Sequence, residues 1–193
     1  QYEGAEAIAM ALCHPNCKLN SLGLYSNNLG NSGVEVLANA LQHPNCHVNS
    51  VNLGSNSISE DGVKIIANIL ESSVSKLTSL NLAENDIQCG MIRHIASALE
   101  HPNCKLISLN LTFNLISNAG AVYLADALRH INSKLVSLSL FGNHISSNGA
   151  VALASATKDA NCKLTALNLS NNNIGDVGAK ALASALNSSN SKL

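Results

Sequence analysis

One asparagine returns along this chain at Asn27, Asn56, Asn85, Asn114, Asn143 and Asn172, each 29 residues after the last. No insertion interrupts the series. A fixed period between 20 and 50 residues marks a stack of small supersecondary units, because such a unit cannot bury its apolar side alone. The clearest copy, Cys162–Asn190, follows K-L-x-x-L-x-L-x-x-N-x-I-x-x-x-G-x-x-x-L-A-x-A-L.

Within that copy Leu164, Leu167 and Leu169 are spaced L-x-x-L-x-L, and the last two alternate with polar or small neighbours. A two-residue rhythm predicts a short strand with one buried side. Beyond Asn172 the rhythm changes: Ile174, Ala179, Leu182, Ala183 and Leu186 follow three- and four-residue steps, which predicts an amphipathic helix. Gly178 is expected at the strand-to-helix transition, where a residue without Cβ permits a tight turn. One repeat is strand, turn, helix and return. Its few apolar side chains do not offset the ordering of a whole repeat of backbone, so stability requires stacked neighbours. Stacking places the strands in one parallel sheet. The bulkier helices lie outside, and the stack curves with its sheet on the inner face.

The columns support this reading. Leu24, Leu53, Leu82, Leu111, Leu140 and Leu169 share one position, and Ala38, Ala67, Ala96, Ala125, Ala154 and Ala183 share another. An alanine column implies close approach of helix and sheet. The turn asparagines are positioned to bond backbone groups left free where each strand ends.

The boundaries follow from the period: a partial leading repeat over 1–16, full repeats over 17–45, 46–74, 75–103, 104–132, 133–161 and 162–190, and the start of another at 191–193. They make one elongated domain, read as a fragment of a longer protein. Repeat 75–103 departs most: Met91 stands in the glycine column, Gly90 is displaced by one, and His94 takes an apolar helix slot. A locally altered turn is expected there.

L-x-x-L-x-L-x-x-N-x-I with a helical second half resembles the leucine-rich repeats of the ribonuclease-inhibitor type. The joint HPNCKL, whole at His14–Leu19 and His101–Leu106, resembles the repeat junction in the leucine-rich regions of NOD-like receptors. The resemblance covers the whole chain. It implies a right-handed, curved α/β solenoid with the parallel sheet on the concave face and helices on the convex face. It also implies a cytoplasmic, non-enzymatic scaffold in which such repeats sense ligands or hold a receptor inactive. Two alternatives stand beside it: a microbial effector that mimics host repeats, and a GTPase-activating protein of the Ran type.

Composition narrows the partner. Eleven basic and 12 acidic residues leave a net charge of −1, so no strong field draws the chain to nucleic acid or membrane. Aromatics make up 3% of the residues and Trp is absent, which argues against a base-stacking surface. No apolar run approaches the ~18–20 residues that span a bilayer. Cys17, Cys46, Cys104 and Cys162 share a column with Ser75, Ser133 and Ser191; a slot open to both wants a small side chain, and reduced thiols are expected. Cys13, His14 and Cys17 offer zinc-type ligands, yet the histidines His14, His43, His101 and His130 form one repeat column and the cysteines another. No metal and no cofactor are expected. Lys18, Lys76, Lys105, Lys134, Lys163 and Lys192 form a stripe at the strand entry edge, read as a solvated rim that discourages edge aggregation. The two arginines, Arg93 and Arg129, map to the outer helices, away from where an arginine finger would act. The N-x-S/T triplets at Asn110, Asn168 and Asn187 follow from a period rich in Asn and Ser.

The inner face is the candidate binding surface, with a protein partner expected on it. Its columns are mostly Ser, Asn, Gly, Ala and Thr. Against that field stand Tyr25, Phe113 and Phe141, with Leu115 and His144 on the following turns and Glu84 with Asp86 as an acidic flank. Exposed aromatics on a rigid surface are the residue type that dominates binding hot spots. The phenylalanines either project as such a patch or tuck into the turn core.

Overall fold

The structure, a computed structural model, describes residues 2–193. Helices and strands alternate throughout: α1 (Tyr2–Leu12), β1 (Ser21–Gly23), α2 (Gly30–Leu41), β2 (Ser50–Asn52), α3 (Glu60–Glu71), β3 (Ser79–Asn81), α4 (Cys89–Leu99), β4 (Ser108–Asn110), α5 (Ser117–Arg129), β5 (Ser137–Ser139), α6 (Ser147–Thr157), β6 (Ala166–Asn168) and α7 (Gly175–Leu186). The strands form one open parallel sheet in sequence order. Every pairing joins residues one repeat apart, such as Ser50↔Ser79, Val51↔Leu80 and Asn52↔Asn81. The 29-residue period is therefore the strand register itself.

The strand pattern divides the two faces. Leu80 and Leu82 are buried while Ser79 and Asn81 are half-buried. Behind the leucines, Ile66, Ile95, Leu124 and Leu153 of successive helices complete the core, each at 1% exposure or less. Ala38, Ala67, Ala96, Ala125 and Ala154 are buried in the same layer, whereas Ala183 in the last helix is exposed.

Asparagine holds the repeats together at the turn. Asn85 is 3% exposed. Its Nδ2 donates to the Leu53 carbonyl at 3.0 Å and to those of Leu82 and Ala83, while its Oδ1 accepts from the Asn56 and Ile58 amides, each at 3.1 Å. One side chain thus satisfies donors and acceptors in two adjacent repeats, groups whose burial unpaired would be costly. Asn56, Asn114, Asn143 and Asn172 repeat the arrangement.

The opposite edge carries a second ladder. Asn103 Nδ2 donates to the Glu71 carbonyl at 3.0 Å, His101 Nδ1 accepts from the Asn103 amide, and Lys105 Nζ donates to the Ser75 carbonyl at 2.8 Å. Lys76, Lys134, Lys163 and Lys192 likewise reach carbonyls of the preceding repeat. The lysine stripe is a set of inter-repeat ties as well as a charged rim. The histidines of the joint accept bonds within their own turns, and among the described residues no group of three or more His, Cys, Asp or Glu side chains is placed to hold a metal ion.

Two local expectations are corrected. The glycine column lies inside the helices rather than in a turn, and its residues have no left-handed φ. A Cβ on Gly120 would stand 2.4 Å from Ile116 Cγ2 and 2.9 Å from Ile92 Cγ2, so the column is kept small by helix packing. Left-handed residues instead flank the turn asparagines: Ser26, Ser55, Glu84, Phe113, Gly142 and Asn171 before them, with φ between 50° and 64°, and Asn28, Ser57, Asp86 and His144 after them, while Gly30, Ser117 and Gly175 open helices. The altered turn expected at Met91 is also not found. Helix α4 begins one repeat after α3 and two before α6, and Gly90 has open space around it. The Met91 side chain is unbranched and flexible; it folds back with its sulfur 3.3 Å from the Gln88 amide and leaves the register intact.

Candidate functional site

The helix-free face of the sheet is a field of small polar groups. Many already bond their own backbone: Asn81 Oδ1 accepts from the Ala83 amide at 2.9 Å, and Asn110 Oδ1 from the Thr112 amide and hydroxyl. Such groups form a flat, hydrogen-bonded ground. The expected site residues rise from its turn edge.

Tyr25 is 45% exposed. Its ring lies across Gly54, where an added Cβ would stand 2.8 Å from Tyr25 Cδ2. The phenol thereby reaches past one repeat to donate to Glu84 Oε2 at 2.7 Å. Bonding to that carboxylate raises the Tyr25 phenol above its ordinary pKa, because the neutral form is the donor.

Phe113 stands in the column of Glu84, one repeat further on. It is 49% exposed and has φ of 50°, a conformation rare for a bulky side chain. Its ring meets that of Phe141 edge to face, with centroids 4.9 Å apart, an orientation favoured by the ring quadrupoles. Phe141 is half-buried. Phe113 and His144 line a cavity of about 450 Å³ with Gly142 and Asn171–Asn173.

The structure thus brings Tyr25 to Glu84, and Phe113 to Phe141 and His144. Leu115, 39% exposed, lies on the same turn edge, tied by its amide to the Ile87 carbonyl at 2.9 Å. Asp86 is exposed and lines a shallow cleft of about 260 Å³ beside Met91; among the described residues no hydrogen bond or ion pair joins it to either group. Gly142, Asn171 and Asn173 were not singled out from the sequence, where Gly54 counted only among the small residues of the inner-face columns. A signal for the glycines was present: Tyr25 and Phe113 are each followed one period later by glycine in the same column.

Elsewhere little chemistry is concentrated. All six cysteines are free thiols, and burial pushes the Cys104 and Cys162 thiols up, away from the reactive thiolate. Arg129 pairs with Asp126 at 2.7 Å on α5, and Arg93 is exposed on α4. A cavity of about 690 Å³ lies between strand and helix at the last repeat, lined by Leu138, Leu167, Leu169, Leu182 and Leu186. No helix among the described residues is long and apolar enough to cross a membrane.

A stack of strand–turn–helix units with an open polar sheet face defines an α/β repeat solenoid, a class of binding scaffold. The leucine-rich repeat model matches residues 16–38, 45–67, 75–88, 103–125, 132–154 and 160–183, about two thirds of the chain, and the protein belongs to that family. Among solved structures it is similar to the tropomodulin C-terminal domain of Caenorhabditis elegans, with 13% identity and a TM-score of 0.54 over 94% of this chain and 90% of that one. It is also similar to TLR13 in its complex with ssRNA13, with 21% identity and a TM-score of 0.51 over 81% of this chain. The match spans 20% of that longer protein. At these identities the likeness is one of fold. No curated protein matches the chain in sequence.

Proposed function

We propose that this chain is a non-catalytic protein-interaction scaffold whose partner seats on the open, concave face of the sheet along its turn edge. The carrying observation is the exposed Phe113 ring packed edge to face on the half-buried Phe141, held on a backbone braced on both sides by the asparagine ladder. Large rings with little freedom lose little entropy on binding, and the small polar field around them lets a partner approach closely. Tyr25, Glu84, Asp86, Leu115 and His144 extend the same edge. The HPNCKL joints support a NOD-like-receptor-type parent, and free thiols support a reducing, cytoplasmic setting. Neither arginine lies on the sheet face, so the GTPase-activating alternative has no finger residue there.

The test is capture from cytosol by the chain and by its Phe113→Ala/Phe141→Ala variant, side by side. A protein retained by the first and lost by the second establishes the scaffold and its patch. Equal retention by both removes the patch from the interface.

A further inference from the structure

The outer, helical face breaks one of its own columns. An outward position holds Glu6, Glu35, Lys64, Arg93 and Lys180 in five helices, but Val122 in α5 and Val151 in α6. The two valines are 42% and 39% exposed, and Val177 of α7 is 62% exposed. Valine is β-branched and a poorer helix former than the charged residues it replaces. The exchange serves neither the helices nor the core, and exposed apolar residues gathered in this way mark an interaction surface.

The helices beneath the valines are drawn together. Where α2, α3 and α4 bury Val34, Val63 and Ile92, α5 and α6 bury Ala121 and Ala150 at the same position. A Cβ added to Gly149 would stand 3.1 Å from Ala121 Cβ, and one added to Gly178 would stand 2.8 Å from Ala150 Cβ. Val122 and Val151 therefore ride side by side on closely packed backbone.

Charge frames the pair. Arg93 and Lys180 stand in the valine column on the helices to either side, so that at interaxial distances of ~8–10 Å the row from one cation to the other spans roughly 24–30 Å. Neither cation has an ion-pair partner among the described residues, Asp176 lying one turn before Lys180 without pairing with it. Lys64, by contrast, is paired with Glu60 and Asp61, and Arg129 with Asp126. The wider face is divided in the same sense. Helices α1–α3 carry Glu3, Glu6, Glu35, Glu60, Asp61 and Glu71 against Lys64 alone, whereas α4–α7 carry Arg93, Arg129 and Lys180 against Asp126 and Asp176. An acidic segment is repelled by the first half of the outer face and received on the second.

We propose that the row Arg93–Val122–Val151–Lys180 is a second docking surface, which takes an extended segment of a partner protein with aliphatic side chains between acidic ends. At ~3.3 Å per residue, about eight residues bridge the two cations. The aliphatic side chains cover Val122 and Val151, and the carboxylates meet Arg93 and Lys180. The surface shares no residue with the Phe113 edge and stands independently of the partner proposed there.

Three decapeptides distinguish the outcomes by amide NMR titration of the chain: Asp-Glu-Ser-Leu-Ser-Leu-Ser-Leu-Glu-Asp, the same peptide with lysine at its four acidic positions, and the same peptide with serine for leucine. The first should shift the Arg93, Val122, Val151 and Lys180 resonances saturably, bind at least about tenfold more tightly than either control, and weaken with added salt. Val122→Ser/Val151→Ser should weaken it at least about tenfold while the amide spectrum stays folded, since both side chains are exposed. Arg93→Gln/Lys180→Gln should abolish the preference for acidic over lysine ends. Phe113→Ala/Phe141→Ala should leave the titration unchanged. Equal binding of either control peptide, shifts centred on Phe113 and His144, or no saturable shift would each overturn the second surface and leave the Phe113 edge untouched.

Discussion

The ring of Phe113 lies over Gly142, so that a Cβ added there would stand 2.6 Å from Phe113 Cδ1. Both residues occupy the left-handed column before a ladder asparagine, at φ 50° and 64°. Gly142→Ala should therefore displace the ring and add left-handed strain, at a cost of about 1–2 kcal/mol. Urea unfolding measures the loss, and the Phe113–Phe141 ring contacts in NMR should weaken with it.

Phe113→Ala with Phe141→Ala should leave stability nearly intact, since one ring is half exposed and the other half-buried. A loss above about 3 kcal/mol in the same unfolding assay would place the rings in the core instead.

Leu111 gives the contrast. It is fully buried beneath the same turn, and Leu111→Ala should cost about 2–5 kcal/mol through the cavity left behind.

Asn85→Ala should cost at least about 3 kcal/mol, although it removes no apolar contact of note. The side chain pairs the Asn56 and Ile58 amides and three carbonyls, and each group left buried without a partner is worth about 1–3 kcal/mol. Hydrogen exchange at Asn56 and Ile58 should accelerate in parallel.

The Tyr25–Glu84 bond has a defined pH dependence. The folded phenol is raised above its ordinary value, so the contact is fully present below the unfolded tyrosine range and is lost as pH rises through the folded pKa. Following the Tyr25 ring resonances with pH should show a midpoint that drops in Glu84→Gln. An unchanged midpoint would mean that the bond does not persist in solution.

The repeat, the parallel sheet, the strand register and the core leucine and alanine columns were legible in the sequence. They follow from backbone periodicity and apolar spacing, which every copy restates. The candidate site was legible only as a set of exceptions to the columns. Spacing showed that Phe113 and Phe141 were neighbours, but whether their rings faced water depended on the left-handed φ of Phe113, a conformation its residue type does not announce. The reach of Tyr25 over Gly54 to Glu84 spans 59 positions and depends on side-chain direction, which periodicity does not carry. The glycine column misled for a similar reason: a missing Cβ serves a turn or a close contact equally well, and only the positions of Ile92 and Ile116 decide which. Sequence by itself thus determined the stack, because local patterns repeated in phase leave one way to bury every apolar face. The tertiary structure alone decided the lysine ties, the Tyr25–Glu84 bond and the Phe113–Phe141 ring pair, because each depends on side chains from different repeats meeting in space.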